Sequence, residues 1–153
     1  MVGSPPRGPL IPPLYALAAL LVMGLLHVFF PVMEFAAPGA RYVGIAVMAF
    51  GLALIVWASH LFNRVKTGIV PFTPATFLVL GGPYRVTRNP MYLGIAIMLL
   101  GVAVVHSSLT PFAVIPLFVV LIDWRFVRAE EAMLEQAFGS AYLDYKAKTR
   151  RWL

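Results

Sequence analysis

At 153 residues, 61% of them hydrophobic and only 12% charged, the chain is long enough for one domain and too apolar for a soluble one. Soluble domains run about 45–50% apolar and about 25% charged, and disorder demands polar, highly charged sequence, so an integral membrane protein is what remains. Twelve Lys+Arg against six Asp+Glu give a net charge of +6; between apolar spans this reads as topology and contact with anionic lipid, with no nucleic acid implied. The absence of cysteine removes disulfides, thiolate nucleophiles and Cys-based metal sites.

The pattern predicts an all-α, polytopic membrane protein: a single domain over 1–153 with four transmembrane helices and a cytoplasmic C-terminal helical extension. A spanning helix needs about 20 apolar residues. The first falls at about 10–32, opened by Pro12-Pro13 and interrupted by His27. Its apolar run exceeds the roughly 7–15 residues of a signal-peptide core and no A-x-A site follows, so it reads as retained. The second falls at about 42–62 and the third at about 91–108, where His106-Ser107-Ser108 and Thr110-Pro111 read as a tight helical turn. The fourth falls at about 109–126. Only 14 of its residues, Leu109 to Ile122, precede the first charge, about 21 Å against a hydrocarbon core of about 30 Å. Asp123 and Arg125 therefore fall at the inner boundary, Asp123 either functional or paired with a neighbour such as Arg64.

Basic residues orient the chain. With the N-terminus in the cytoplasm, eleven lie inside and only Arg41 outside, which places both termini, and the loop over 63–90, on the cytoplasmic side, as in a bacterial inner (cytoplasmic) membrane. That loop is long, apolar and bent by Pro71, Pro74, Gly81, Gly82 and Pro83, so it reads as lying in the interface or folding over a site.

The loop ends on Asn89-Pro90, a good helix start because Asn caps and Pro suits the first helical position. The same helix N-terminus, flanked by Arg85 and Arg88, is also suited to a carboxylate or phosphate. After the fourth span the helix continues through Glu130-Glu131. Their side chains point about 100° apart, so one suits an ammonium or ribose hydroxyls while the other holds an arginine; a solvated acidic pair is the plainer alternative. Gly139 reads as a stop and Ser140 as the cap of a second short helix through about Lys148, with Leu134, Phe138, Tyr142 and Tyr145 forming an apolar stripe. These amphipathic helices take up 127–148. His27, His60 and His106 lack partners at ligand spacing and read as packing residues, so no metal site is expected. Ala49 and Ala53 form a small-xxx-small pair, too common a pattern to fix an oligomeric state.

Gly82-Pro83-Tyr84-Arg85, Arg88-Asn89-Pro90-Met91-Tyr92, Glu130-Glu131-x-x-Leu134 and Phe138-Gly139-x-x-Tyr142-x-x-Tyr145, in that order around a helical hairpin, resemble the isoprenylcysteine carboxyl methyltransferase family. Related membrane phospholipid methyltransferases share parts of the pattern. The resemblance covers about residues 80–151 and implies an S-adenosylmethionine-dependent methyltransferase. It implies a cofactor pocket lined by Tyr84, Arg88, Asn89, Pro90, Tyr92, Glu130 and Glu131 and closed or supported by Tyr142 and Tyr145. Arg88, Arg125 and Arg128 become the catalytic candidates, the latter two as basic residues addressing substrate. Asn89 stands where the family usually has His and cannot carry a proton near neutral pH. The implied acceptor is lipophilic or small and hydrophobic, bearing its own carboxylate, amine or thiol nucleophile, with membrane lipids as the surrounding partners. Two other readings stay open: an NADPH-dependent membrane reductase akin to sterol reductases, and a non-enzymatic membrane subunit that retains the fold.

Overall fold

Proline sets where two of the long helices begin, because its fixed φ suits a first turn and its missing N–H is not needed there. In the computed structural model, which describes residues 11–35, 38–64 and 77–153, helix α1 (Pro12–Phe29) and helix α3 (Pro90–His106) both start this way. Helix α2 (Ala40–Arg64) lies between them in sequence. A 3-10 turn at Thr110–Ala113 leads into α4 (Val114–Ile122), which runs without a break through a π-helical turn (Asp123–Val127) into α5 (Arg128–Phe138). Gly139, at φ +54, ends it and α6 (Ser140–Lys148) turns back. No strand occurs among the described residues; the one extended pairing is a single bridge between Thr87 and Arg150.

Three helical stretches are long and apolar enough to cross a membrane, Pro12–Phe29, Ala40–Arg64 and the continuous Thr110–Phe138, and Pro90–His106 is a shorter apolar helix. The shorter one is central. α3 packs against α2 on one side and against α1 and α4 on the other, and it buries Tyr92, Gly94, Ala96, Leu99, Gly101 and Ala103. The outer faces of α1, α2 and α4 expose Leu21, Leu25, Ile45, Phe50, Leu117 and Val120, apolar side chains that suit lipid and not water.

The α2–α3 seam is made of glycine. A Cβ on Gly44 would lie 2.7 Å from the Gly101 carbonyl oxygen, and one on Gly94 would lie 2.8 Å from that of Gly51. The two backbones touch directly, as small residues allow where lipid supplies no hydrophobic drive. Ala49 and Ala53, the pair singled out by spacing, lie exposed instead.

At the far end from α6, the chain after α1 is pinned to the hairpin between α3 and α4. Leu109 N–H donates to the Val32 carbonyl at 3.0 Å, Phe35 N–H to Ser107 at 2.9 Å and the Thr110 hydroxyl to Phe30 at 2.6 Å. Ser107 makes the turn in the left-handed region. His27 Nδ1 shares a 2.9 Å hydrogen bond with the Ser108 hydroxyl and stacks 4.7 Å from the His106 ring, the packing role expected. The expectations for 65–76 and for residues 1–10 lie outside the described residues.

Candidate active site

The site begins at the C-terminal end of α2. A 3-10 turn, Gly82–Arg85, sits there because Gly82 has φ +58 and a Cβ on it would meet Leu61 at 2.8 Å and the Trp57 ring at 3.3 Å. Tyr84 is thereby buried with its ring 5.4 Å from Phe62, and the Tyr145 hydroxyl donates to its carbonyl at 2.7 Å. The Tyr84 hydroxyl has no hydrogen-bond partner among the described residues. Burial holds its phenol in the protonated form, with the neighbouring Tyr145 and Glu130 charges adding to the effect.

Between this turn and α3 lies Arg88, whose side chain makes four hydrogen bonds. Nε and Nη2 donate to Glu131 Oε1 at 3.2 and 2.9 Å, and Nη1 donates to the Lys146 and Thr149 carbonyls. Glu131 is 5% exposed and is met from the other side by Arg151, whose Nε reaches Oε1 at 3.0 Å and whose Nη2 reaches Oε2 at 2.7 Å. A carboxylate buried to this degree is stable only when its oxygens are all paired. Here two guanidinium groups share it.

Glu130, one residue earlier and about 100° around the helix, is employed differently. Its Oε1 accepts from the Tyr92 hydroxyl at 2.7 Å, while Oε2 has no hydrogen-bond partner among the described residues. Tyr142 is 1% exposed and lies with its ring 6.1 Å from that of Tyr145, and its hydroxyl also has no hydrogen-bond partner among the described residues. Burial first, then the negative charge of Glu131, pushes its phenol up to about 12. The buried hydroxyls of Tyr84 and Tyr142 thus lack hydrogen-bond partners among the described residues, and buried groups of this kind ask for an explanation in a native fold.

Tyr84, Arg88, Asn89, Pro90, Tyr92, Glu130, Glu131, Tyr142 and Tyr145 are therefore linked through this network and the start of α3. Arg128 stands apart: it is exposed and donates to Asp123 Oδ2 at 2.9 Å. Arg125 is half-buried on the π-helical turn.

Three local expectations need correction. Asn89 holds the position before α3, but its side chain does not cap the helix; Nδ2 donates to the Arg151 carbonyl at 3.0 Å, and the Thr87 hydroxyl accepts from Asn89 N–H at 3.2 Å. Ser140 does not cap α6, because Gly139 takes that position without a side chain to offer. Asp123 pairs with Arg128, Arg151 and the Trp152 indole instead of Arg64, and Arg64 instead donates to His60 at 3.1 Å. No group of three metal-ligating side chains occurs among the described residues.

A family model described as phospholipid methyltransferase matches residues 40–141, about two thirds of the chain. The chain belongs to the phospholipid methyltransferase family. It is also 39% identical over 64 residues to an uncharacterized protein of Haemophilus influenzae (strain ATCC 51907 / DSM 11121 / KW20 / Rd), a stretch that is 41% of this chain and all of that protein. Among solved structures it resembles the eukaryotic intramembrane Ras methyltransferase ICMT, isoprenylcysteine carboxyl methyltransferase, with a TM-score of 0.65 and 21% identity. That likeness is one of fold. It covers 90% of this chain but only 50% of the other, so the chain spans about half the length of that enzyme. Family membership makes this an integral membrane methyltransferase by class and does not favour the reductase alternative.

The sequence reading missed Arg151, Thr149, Thr87 and Trp152 as parts of the site. They lie outside the motifs, and three of the four fall beyond the family match, which ends at residue 141. One signal was available: two adjacent carboxylates at a membrane boundary need more cationic partners than Arg88 alone supplies.

Proposed function

We propose that the chain transfers a methyl group from S-adenosylmethionine to a lipophilic acceptor, with the cofactor held by Glu130, Tyr84, Tyr142 and the first turn of α3. The observation carrying this reading is the pair of buried Tyr84 and Tyr142 hydroxyls without hydrogen-bond partners among the described residues, together with Glu130, whose charge acts on Tyr84 and which accepts from Tyr92 through Oε1 alone among those residues. These groups fit a ligand with an ammonium, a carboxylate and ribose hydroxyls. Glu130 Oε2 suits the ammonium or the hydroxyls. The backbone N–H groups of Met91 and Tyr92, in a first turn with no side-chain cap, suit the carboxylate.

When bound, the cofactor supplies an electrophilic methyl group on a positively charged sulfur. The protein positions and excludes water, which is what a displacement with dispersed charge needs. Tyr92 orients Glu130 through their 2.7 Å hydrogen bond. Arg88, with four of its donors committed, holds the wall together and does not act on the reacting atoms. Arg125 and Arg128 lie at the membrane boundary, where they address the acceptor's polar end. The acceptor supplies its own nucleophile and enters from the bilayer. The topology belongs to the same proposal: α1, α2, α3 and the α4 segment are four spans, with both termini and the site on the cytoplasmic side of a bacterial inner membrane.

Calorimetry with detergent-purified protein tests this reading. S-adenosylmethionine binds saturably and NADPH does not. Glu130→Gln and Tyr142→Phe each weaken binding, the first by about tenfold or more, since a hydrogen bond to a charged group is worth about 1.5–3 kcal/mol. Unchanged affinity in both variants would remove Glu130 and Tyr142 from the cofactor site.

A further inference from the structure

The last residues of the chain run across the start of α3 and fasten to it at several points. Arg88 N–H donates to the Arg150 carbonyl at 2.9 Å, and the Thr87 hydroxyl and Asn89 Nδ2 both donate to the Arg151 carbonyl at 3.0 Å. Trp152 packs against the apolar core while its indole N–H donates to Asp123 at 3.2 Å. The Arg151 side chain then crosses to α5 and grips both oxygens of Glu131. One residue therefore spans the two elements that carry the Tyr92–Glu130 pair: its carbonyl is on the α3 side and its guanidinium is on the α5 side.

We propose that Arg151 is a positioning residue, which by holding Glu131 and the start of α3 together keeps Tyr92 and Glu130 in register for the ligand. The proposal rests on the methyltransferase reading for what that ligand is. Its physical basis is the arithmetic of Glu131. Without Arg151, Oε2 of a buried carboxylate has no donor, and the Arg88 guanidinium must compensate alone from the Oε1 side. A buried ion that loses a partner relaxes toward water. Relaxation here moves α5 against α3 and so disturbs the adjacent Glu130. Arginine is needed for the two-point grip, which a lysine's point charge meets only in part.

The test uses the full chain in detergent with Arg151→Ala and Arg151→Lys. Two quantities are read, hydrogen exchange at the amides of residues 88–93 and S-adenosylmethionine affinity per folded protein. Arg151→Ala accelerates exchange at residue 88 and weakens affinity about tenfold, the low end of what one hydrogen bond to a charged group is worth; Arg151→Lys falls between the two. In a Glu131→Gln background, Arg151→Ala has a smaller effect on both, because the charge it neutralises is gone. If Arg151→Ala lowers only the melting temperature, leaving exchange at 88–93 and affinity unchanged, the positioning role is wrong and the residue is a structural tie. Should Arg151→Ala fail to fold, Arg151→Lys carries the same comparison, and wild-type exchange and affinity in it would overturn the proposal. If the wild-type protein binds no S-adenosylmethionine, the cofactor reading fails separately. Exchange at 88–93 then decides the proposal alone: acceleration sustains it, and no change overturns it.

Discussion

Glu130 and Glu131 are chemically identical neighbours set to opposite tasks by about 100° of helical rotation. Glu131 is consumed by Arg88 and Arg151, so Glu131→Ala leaves two guanidinium groups without their shared partner and destabilises the fold by about 3–5 kcal/mol, measurable as a shift in denaturation midpoint in detergent. Glu130→Gln, by contrast, changes ligand affinity with little change in stability. Tyr142 gives a pH signature. Its phenol is pushed up to about 12 in the fold against about 10 in an unfolded chain. The protonated form is the one the fold prefers, so this contribution is complete below pH 10 and is lost as pH rises toward 12. Tyr142→Phe flattens the alkaline decline in stability over that interval; an unchanged slope in an alkaline melting series would contradict it. That the two glutamates cannot clamp one point, and that one could hold an arginine, was legible from spacing alone, with a solvated acidic pair as the plainer alternative. Which one takes the arginine was not, because the deciding partner, Arg151, is 20 residues further along and carries no motif.

Helix positions were readable from apolar runs, and the glycine seam was not. Attention to four-residue spacing picks out Ala49 and Ala53, whereas the contact repeats every seven residues, through Gly44 and Gly51 on α2 and Gly94 and Gly101 on α3. A seven-residue repeat is the mark of helices that stay in contact over several turns. Gly94→Ala places a Cβ against the Gly51 carbonyl and costs about 1–3 kcal/mol as overpacking, whereas Ala53→Leu on the exposed face of α2 is close to neutral. Thermal unfolding of the two variants side by side checks the contrast. The π-helical turn was equally invisible, since nothing in Asp123-Trp124-Arg125-Phe126-Val127 breaks a helix. It has a definite effect: a π turn accommodates one extra residue, which is worth about 100° of rotation for everything after it. That rotation lets Phe126 and Val127 both face inward and brings Glu131 to the buried side. Deleting the exposed Trp124 removes the extra residue, restores a regular helix and leaves Glu130 and Glu131 facing the site, so S-adenosylmethionine binding is retained; lost binding would contradict this account of the turn.

At the scale of the whole molecule, composition sufficed for the membrane class, and charge placement for a proposed orientation. The absence of cysteine from the chain makes that orientation directly measurable. A single cysteine at Lys148 is expected to react with an impermeant thiol reagent only after the inner membrane is opened, and one at Glu34 reacts in intact cells. The reverse labelling would invert the topology and move the site to the other side of the membrane. The seam between α2 and α3 has a mechanical consequence as well. Helices whose backbones touch at four glycines, with Met48, Ile55, Met98 and Val105 packed tightly around those contacts, have little side-chain freedom between them, so they move as one stiff body. An acceptor as bulky as a lipid cannot part them. On the proposed reaction, room for it comes from the other flank of α3, where α1 and α4 meet it through flexible side chains such as Met23 and Leu99. That makes the α2–α3 pair the frame of a one-sided doorway, and α1 with α4 its leaf.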